Sequence, residues 1–225
     1  MIKITSIATL LLLLLTKTLT AQVTSFSIDE SKINRILAVK LDSIYKEDQE
    51  DRQKWTQLDR EGMPKRVVDS LKAIVRTKDS ANLEFVEQLI KQHGWLSPQD
   101  VGFQGSMAIF LVIQHADLKT QKKYYPLIIK AEKEGNILSS NVAILEDRIA
   151  IREGRKQRYG SQGYYDKQQK RTLIYPLEDV KNLDSLRKAR GLQPMSQYIK
   201  NWSEADYQAY LPEAEEQLKS LKKRL

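Results

Sequence analysis

The sequence predicts a mainly α protein: a single-domain, bundle-like helical core with a small irregular or β-hairpin segment near residues 155–177. Three observations carry this reading. Apolar residues recur at helical spacing along most of the chain. The composition, 41% hydrophobic and 29% charged with only 9 Gly and 6 Pro in 225 residues, excludes collagen-like, low-complexity and wholly disordered chains. The helical period is lost over one internal stretch, Arg155 to Leu177.

Taken in order, Ser27 followed by Glu30 reads as a capping box. It opens a helix with Ile33, Ile36, Leu37, Leu41, Ile44 and Tyr45 on one stripe. The stripe fades into the charged and amide run Lys46 to Lys54, and Glu61-Gly62-Met63-Pro64 breaks the helix. A second helix is expected from Val67 to His93, with an interruption near Thr77 to Ser80 and Gly94 as its stop. Trp95 to Gln104 reads as a connection. Gly105 to Asp117 is the most apolar stretch after the leader. A helix apolar on all sides belongs at the centre of a core. Helices follow at Thr120 to Glu134 and Ser140 to Glu153, the latter capped by Ser139 or Ser140. Gln157 to Gln162 and Thr172 to Pro176 are expected to pair as a hairpin around the tip Gly163 to Lys170. Short helices near Val180 to Arg190 and Pro194 to Trp202 precede a partly helical tail. The helices around 105–117, 120–134 and 140–153 form the expected core, within a domain of residues 22–225 whose core region spans about 41–202.

Residues 1–21 read as a secretory signal peptide. Lys3 provides a positive start, Ile4 to Leu15 is apolar, and Thr16 to Ala21 is polar and ends on a small residue. The apolar run is about half the roughly 20 residues that a membrane span requires. The expected location is the periplasm or the exterior, with no transmembrane segment once the signal is removed. The chain has no cysteine, which excludes disulfide scaffolds, thiolate metal sites and cysteine nucleophiles. His93 and His115 are its two histidines, too few for a three-histidine metal site. No phosphate loop, dinucleotide fingerprint or zinc-protease motif is present, so neither metal nor cofactor is expected.

The net charge of +8 falls to +6 without Lys3 and Lys17. Residues 152–171 alone carry +5: Arg152, Arg155, Lys156, Arg158, Lys167, Lys170 and Arg171 against Glu153 and Asp166. Such a stretch suits an anionic surface, or it is a solvated loop. An exported protein is not expected to meet nucleic acid.

The candidate site comes from polar groups inside apolar helices. Gln114, His115 and Asp117 end one core helix; Glu146, Asp147 and Arg148 interrupt another. A buried charge costs several kcal/mol unless paired. These groups therefore share a wet cleft or satisfy one another. His115 reads as a general base or ligand oriented by Asp147 or Asp117, or as a histidine tying down a helix end. Asp117 also fits a helix cap, and Asp147 with Arg148 a structural ion pair. Tyr159-Gly160-Ser161-Gln162-Gly163 lacks the nucleophile-elbow spacing, and its glycine fits a tight turn.

The run Gly94-Trp95, Asp100-Val101-Gly102, Gly105, Val112-Ile113-Gln114-His115-Ala116-Asp117, Asp147-Arg148 and Gln157-x-Tyr159-Gly160-x-Gln162 resembles an uncharacterised bacterial family catalogued as a domain of unknown function, number 6624. Tyr175-Pro176-Leu177-Glu178-Asp179 and Arg187-x-x-x-Gly191-Leu192-x-Pro194 resemble its C-terminal pattern. The resemblance covers roughly Leu41 to Lys200. It implies a single helical domain and one polar site built from these elements, and it implies no reaction.

The expectation is thus an exported ligand- or partner-binding helical module of the cell envelope. Its pocket would be lined by Gln114, His115, Asp117, Asp147, Arg148, Tyr159 and Gln162, with Arg148 as the anion-pairing group and Tyr159 as an aromatic wall. The alternative is a hydrolase with His115 as general base, Asp147 as its orienting carboxylate, and Arg148 or Gln162 stabilising developing negative charge.

Overall fold

A computed structural model describes residues 22–222, so the expected signal peptide lies outside the described residues. The fold is mainly α with one small antiparallel hairpin. Two long helices, α1 (Arg35–Arg60) and α2 (Lys65–His93), run side by side and meet at a turn where Gly62 takes a φ of 75°. The Ser27 capping box does not form. Residues 22–34 are instead held by tertiary bonds: Val23 to Ser139, the Asp29 N–H to Gln99 Oε1, and the Asn34 N–H to the Asp100 carbonyl. Asp29 caps a single 3-10 turn, Glu30–Lys32, and Asn34 caps α1. Helix α2 runs without the expected interruption. The Thr77 and Ser80 hydroxyls donate back to the Ala73 and Arg76 carbonyls, which keeps both residues inside the helix.

Helix α3 (Pro98–His115) begins earlier than expected, because Ser97 and Asp100 form a complete capping box ahead of Pro98. A break at Gly102 separates this first turn from the apolar body. Residues 108–114 are all buried, as an all-apolar helix requires. Helices α4 (Leu118–Lys133) and α5 (Ser139–Arg152) follow. Neither Ser139 nor Ser140 caps α5; Leu138 occupies that position, and the Ser139 hydroxyl accepts from the Val23 N–H instead.

The main apolar core draws on all five helices, with Leu41 and Ile44 from α1, Val86 and Leu89 from α2, Ile113 from α3, Ile128 from α4 and Leu145 from α5. The expected three-helix core is therefore incomplete, since α1 makes the most extensive helix–helix packing, against α3. A second cluster gathers Leu173, Ile174, Leu183, Met195, Tyr207 and Tyr210. It joins the hairpin to α6 (Leu183–Lys188), α7 (Met195–Tyr198) and α8 (Glu204–Lys222). Tyr207 and Tyr210 anchor it by accepting, at their hydroxyls, from the Leu177 and Ile174 N–H groups.

The hairpin pairs β1 (Gly163–Asp166) with β2 (Arg171–Ile174), from Gly163 opposite Ile174 to Asp166 opposite Arg171. The expected first strand, Gln157 to Gln162, is not a strand, because the N–H groups of residues 158, 159 and 161 are engaged by Asp147. Gly163 is needed where the strands approach: a Cβ there would lie 2.6 Å from the Leu173 carbonyl oxygen.

Candidate functional site

Asp147 and Arg148 are neighbours on α5, and at 100° per residue they face different parts of the molecule. Asp147 is 1% exposed and faces the loop after the helix. Its Oδ1 accepts from the N–H groups of Arg158 (2.8 Å) and Tyr159 (3.0 Å), and its Oδ2 from that of Ser161 (2.9 Å). Burial pushes the carboxyl upward, and the three N–H groups oppose that push. The loop closes around it because Gly160 adopts a φ of 65°, the tight turn its sequence suggested. Gln157 locks the next residues: its amide donates to the Gln162 and Tyr175 carbonyls and accepts from the Gln162 N–H. Gln162 is held there by its backbone, with its side chain donating to Ser161 Oγ.

Tyr159 is buried and belongs to a further network on the Glu146 side of α5. Burial first, then the Glu146 carboxylate, push its hydroxyl up to about 12. The Tyr125 hydroxyl donates to Glu146, and Arg190 bridges Glu146 and Glu132. Asp117 is exposed, and its Oδ1 accepts from the Thr120 N–H at 2.7 Å, which makes it the cap of α4. The structure thus distributes the expected pocket over several places. Asp147, Gln162, Tyr159 and Asp117 do not line one cleft with His115.

The carboxylate that His115 meets is Asp48, on α1, and not Asp147. His115 Nδ1 lies 2.8 Å from Asp48 Oδ1. Arg52 Nε donates to the same oxygen at 2.8 Å, and Gln49 donates to Oδ2. Arg52 reaches on to Asp79 of α2 at 2.6 Å, tying three helices together. Burial lowers the His115 pKa below its ordinary 6.5, against the pull of Asp48. The imidazole is therefore neutral at pH 7. With Nδ1–H donating to Asp48, its lone pair is on Nε2. Sequence reading missed Asp48, Arg52 and Asp79. The signal was present: Leu41, Ile44 and Asp48 are spaced three and four apart, so Asp48 continues the buried stripe of α1.

A concavity of about 600 Å³ opens between α1 and the end of α3. Gln49, Arg52, Gln53 and Gln57 form one wall; Leu111, Gln114 and His115 form the other. Gln114 Oε1 is buried without a hydrogen-bond partner. Arg148 is not among the residues that line this concavity; it stands on α5 one turn before Arg152, which reaches the Ala116 carbonyl at the end of α3, and it is half-buried. Its Nε is buried without a partner, and among the described residues none forms an ion pair or hydrogen bond with it. Burial, then repulsion from Arg152 and Arg52, pulls its pKa down to about 10, so it stays charged at neutral pH.

A second concavity, of about 350 Å³, lies on the Glu146 side of α5 with Tyr125, Arg155 and Arg158 on its rim. Three cations of the 152–171 stretch pair with carboxylates from elsewhere: Lys156 with Glu215, Lys167 with Asp59 and Arg171 with Asp206. Among the described residues no group of three or more His, Asp or Glu is placed to hold a metal ion. No described helix is long and apolar enough to cross a membrane.

Residues 36–209 match the profile of a family described as "Family of unknown function (DUF6624)". The chain belongs to that family. The match contains every element of the two concavities, from Gln49 to Glu178. No curated protein and no solved structure matches the chain.

Proposed function

We propose that the protein is an exported binding module of the cell envelope, which takes a small polar ligand in the concavity between α1 and the end of α3. One observation carries this reading: Gln114, on the wall of this concavity, has its buried Oε1 left without a hydrogen-bond partner among the described residues. Buried polar atoms are ordinarily hydrogen-bonded, so groups left open around a concavity suit a ligand that completes them. The amide row Gln49, Gln53 and Gln57 adds donors and acceptors along one wall. Export rests on the sequence character of residues 1–21.

The test is amide chemical-shift mapping of the purified protein with envelope chemistries: N-acetylated amino sugars, uronic acids and short peptides. Shifts should gather on Gln49, Gln53, Leu111 and His115. Shifts confined to Tyr125, Glu146 and Arg158, or none with any probe, would contradict the reading. Cell fractionation of a C-terminally tagged chain tests export.

A second reading, a hydrolase, draws support from the 2.8 Å His115–Asp48 contact. A neutral imidazole oriented by a carboxylate can take a proton from water. Asp48 then has the orienting role expected of Asp147. Hydrolysis lost in both His115→Gln and Asp48→Asn, with binding kept, would favour it.

A further inference from the structure

The end of α3 sets two hydrogen-bond acceptors on one wall of the concavity. His115 Nδ1 is committed to Asp48 at 2.8 Å. Burial opposes ionisation of Asp48, and the bonds from His115 and Arg52 overcome it, so the carboxyl lies below its ordinary value and only accepts. Nδ1 therefore carries the ring proton and Nε2 the lone pair. Nε2 forms no hydrogen bond among the described residues, and it is not an enclosed atom. Since His115 lines the concavity, that lone pair is open to it. Gln114, the preceding residue, is 7% exposed and lines the same wall. Its Oε1 has no partner, and no bond among the described residues fixes its amide, which is free to turn that oxygen to a ligand.

Two acceptors side by side call for a donor. An oxyanion would set its lone pairs against theirs. An ammonium group would meet Arg52 and Arg60, which line the same concavity. These cations are countered in place: Arg52 bonds Asp48 and Asp79, and Arg60 adjoins Glu61. The wall thus offers no excess charge to an ionic ligand. Leu111, one turn before His115, adds an apolar patch between the polar groups.

We propose that the concavity takes a neutral polyhydroxylated ligand, a sugar or polyol, with one hydroxyl donating to His115 Nε2 and a second to Gln114 Oε1. This rests on the binding reading above and adds the ligand's charge and chemical class to it. Leu111 packs against ligand C–H groups. Gln53 and Thr56, whose side chains have no hydrogen bond among the described residues, contact further hydroxyls from the opposite wall.

The probes are sorbitol and two sets of pyranoses that differ in charge: glucose, glucosamine and glucuronate, and the same three built on galactose. Each is titrated into the purified protein at pH 7 while the imidazole nitrogen resonances are followed, with the exposed His93 as internal reference. At least one neutral probe should move the His115 Nε2 resonance and leave that of His93 in place. The charged forms should half-saturate at a concentration about tenfold higher or more. His115→Asn keeps an N–H for Asp48 and removes the second nitrogen, and should weaken the neutral probe about tenfold. Should His115→Asn not fold, the Nε2 shift in the wild type decides. A charged form that binds as tightly as its neutral counterpart, a bound probe that leaves Nε2 unmoved, or unchanged affinity in His115→Asn would overturn the proposal and leave the binding reading standing, because a ligand still occupies the concavity. No shift with any of these probes would overturn it as well; the binding reading falls with it only if peptides also leave Gln49, Gln53 and Leu111 unmoved.

Discussion

Asp147 and Arg148 are adjacent in the chain, both lie in a core helix, and they differ in completeness. The carboxylate has three backbone N–H groups around it and organises the loop 158–161. The guanidinium has neither a hydrogen bond nor an ion pair among the described residues, and its Nε is buried. A closed polar network is the signature of a scaffold, because every donor is matched within the chain. An open one persists only where something outside the chain completes it, since functional sites commonly cost stability. On the other side of α5, Glu146 is paired with Tyr125 and Arg190, whose Nε is left without a partner, and at the concavity Gln114 Oε1 is left without one. His115 stands between these cases, being paired with Asp48 and open to the concavity.

This contrast can be broken or sharpened by mutation. The largest effect is expected in Asp147→Ala, which strands three N–H groups in the interior and should cost about 3–5 kcal/mol in urea unfolding. A loss below about 1 kcal/mol would show that the loop finds other partners. Next comes Gly160→Ala, at about 2 kcal/mol. The φ of 65° disfavours any side chain, and a Cβ would meet Leu177 and Met195 at 3.3 Å. Its loss should appear as local amide-exchange protection falling over residues 157–162. The smallest of the three is a pH effect of His115. Its folded pKa lies below the ordinary 6.5, so the unfolded chain binds the extra proton as pH falls past that value. Stability should decline from there down through the folded pKa, and His115→Gln should flatten that part of the profile. An unchanged profile would place the imidazole in a more solvated setting than its burial implies.

Much of the fold was legible because helices announce themselves by period. The helical bodies of α1 to α5 follow from apolar spacing, and the glycines at 62, 94 and 154 end helices or follow them closely. What could not be read was tertiary. Ser27 yields to Asp29 and Asn34 because contacts with Ser139 and Gln99 hold the N-terminal segment extended. The hairpin sits further along because Asp147 takes the N–H groups that a strand would have used. The second apolar cluster depends on Tyr207 and Tyr210, in a segment whose charges hide its buried stripe. For the site, Gln114, His115 and Arg148 were found by one rule, that polar groups inside apolar helices need partners. The rule does not say which partner. Asp48 took His115 from a stretch that reads as solvated, and it continues a buried stripe only by position.

Adjacent charges on α5, one buried and one half-buried, thus divide into a closed structural site and an open one. The most direct measurement is urea unfolding of Asp147→Ala and Arg148→Met beside the wild type, in chloride buffer free of phosphate and carboxylates. A large loss is expected in the first. In the second no loss is expected, or a gain of about 1 kcal/mol from relieving an unpaired, half-buried charge. Comparable large losses in both would contradict this division, and Arg148 would then be scaffold like its neighbour.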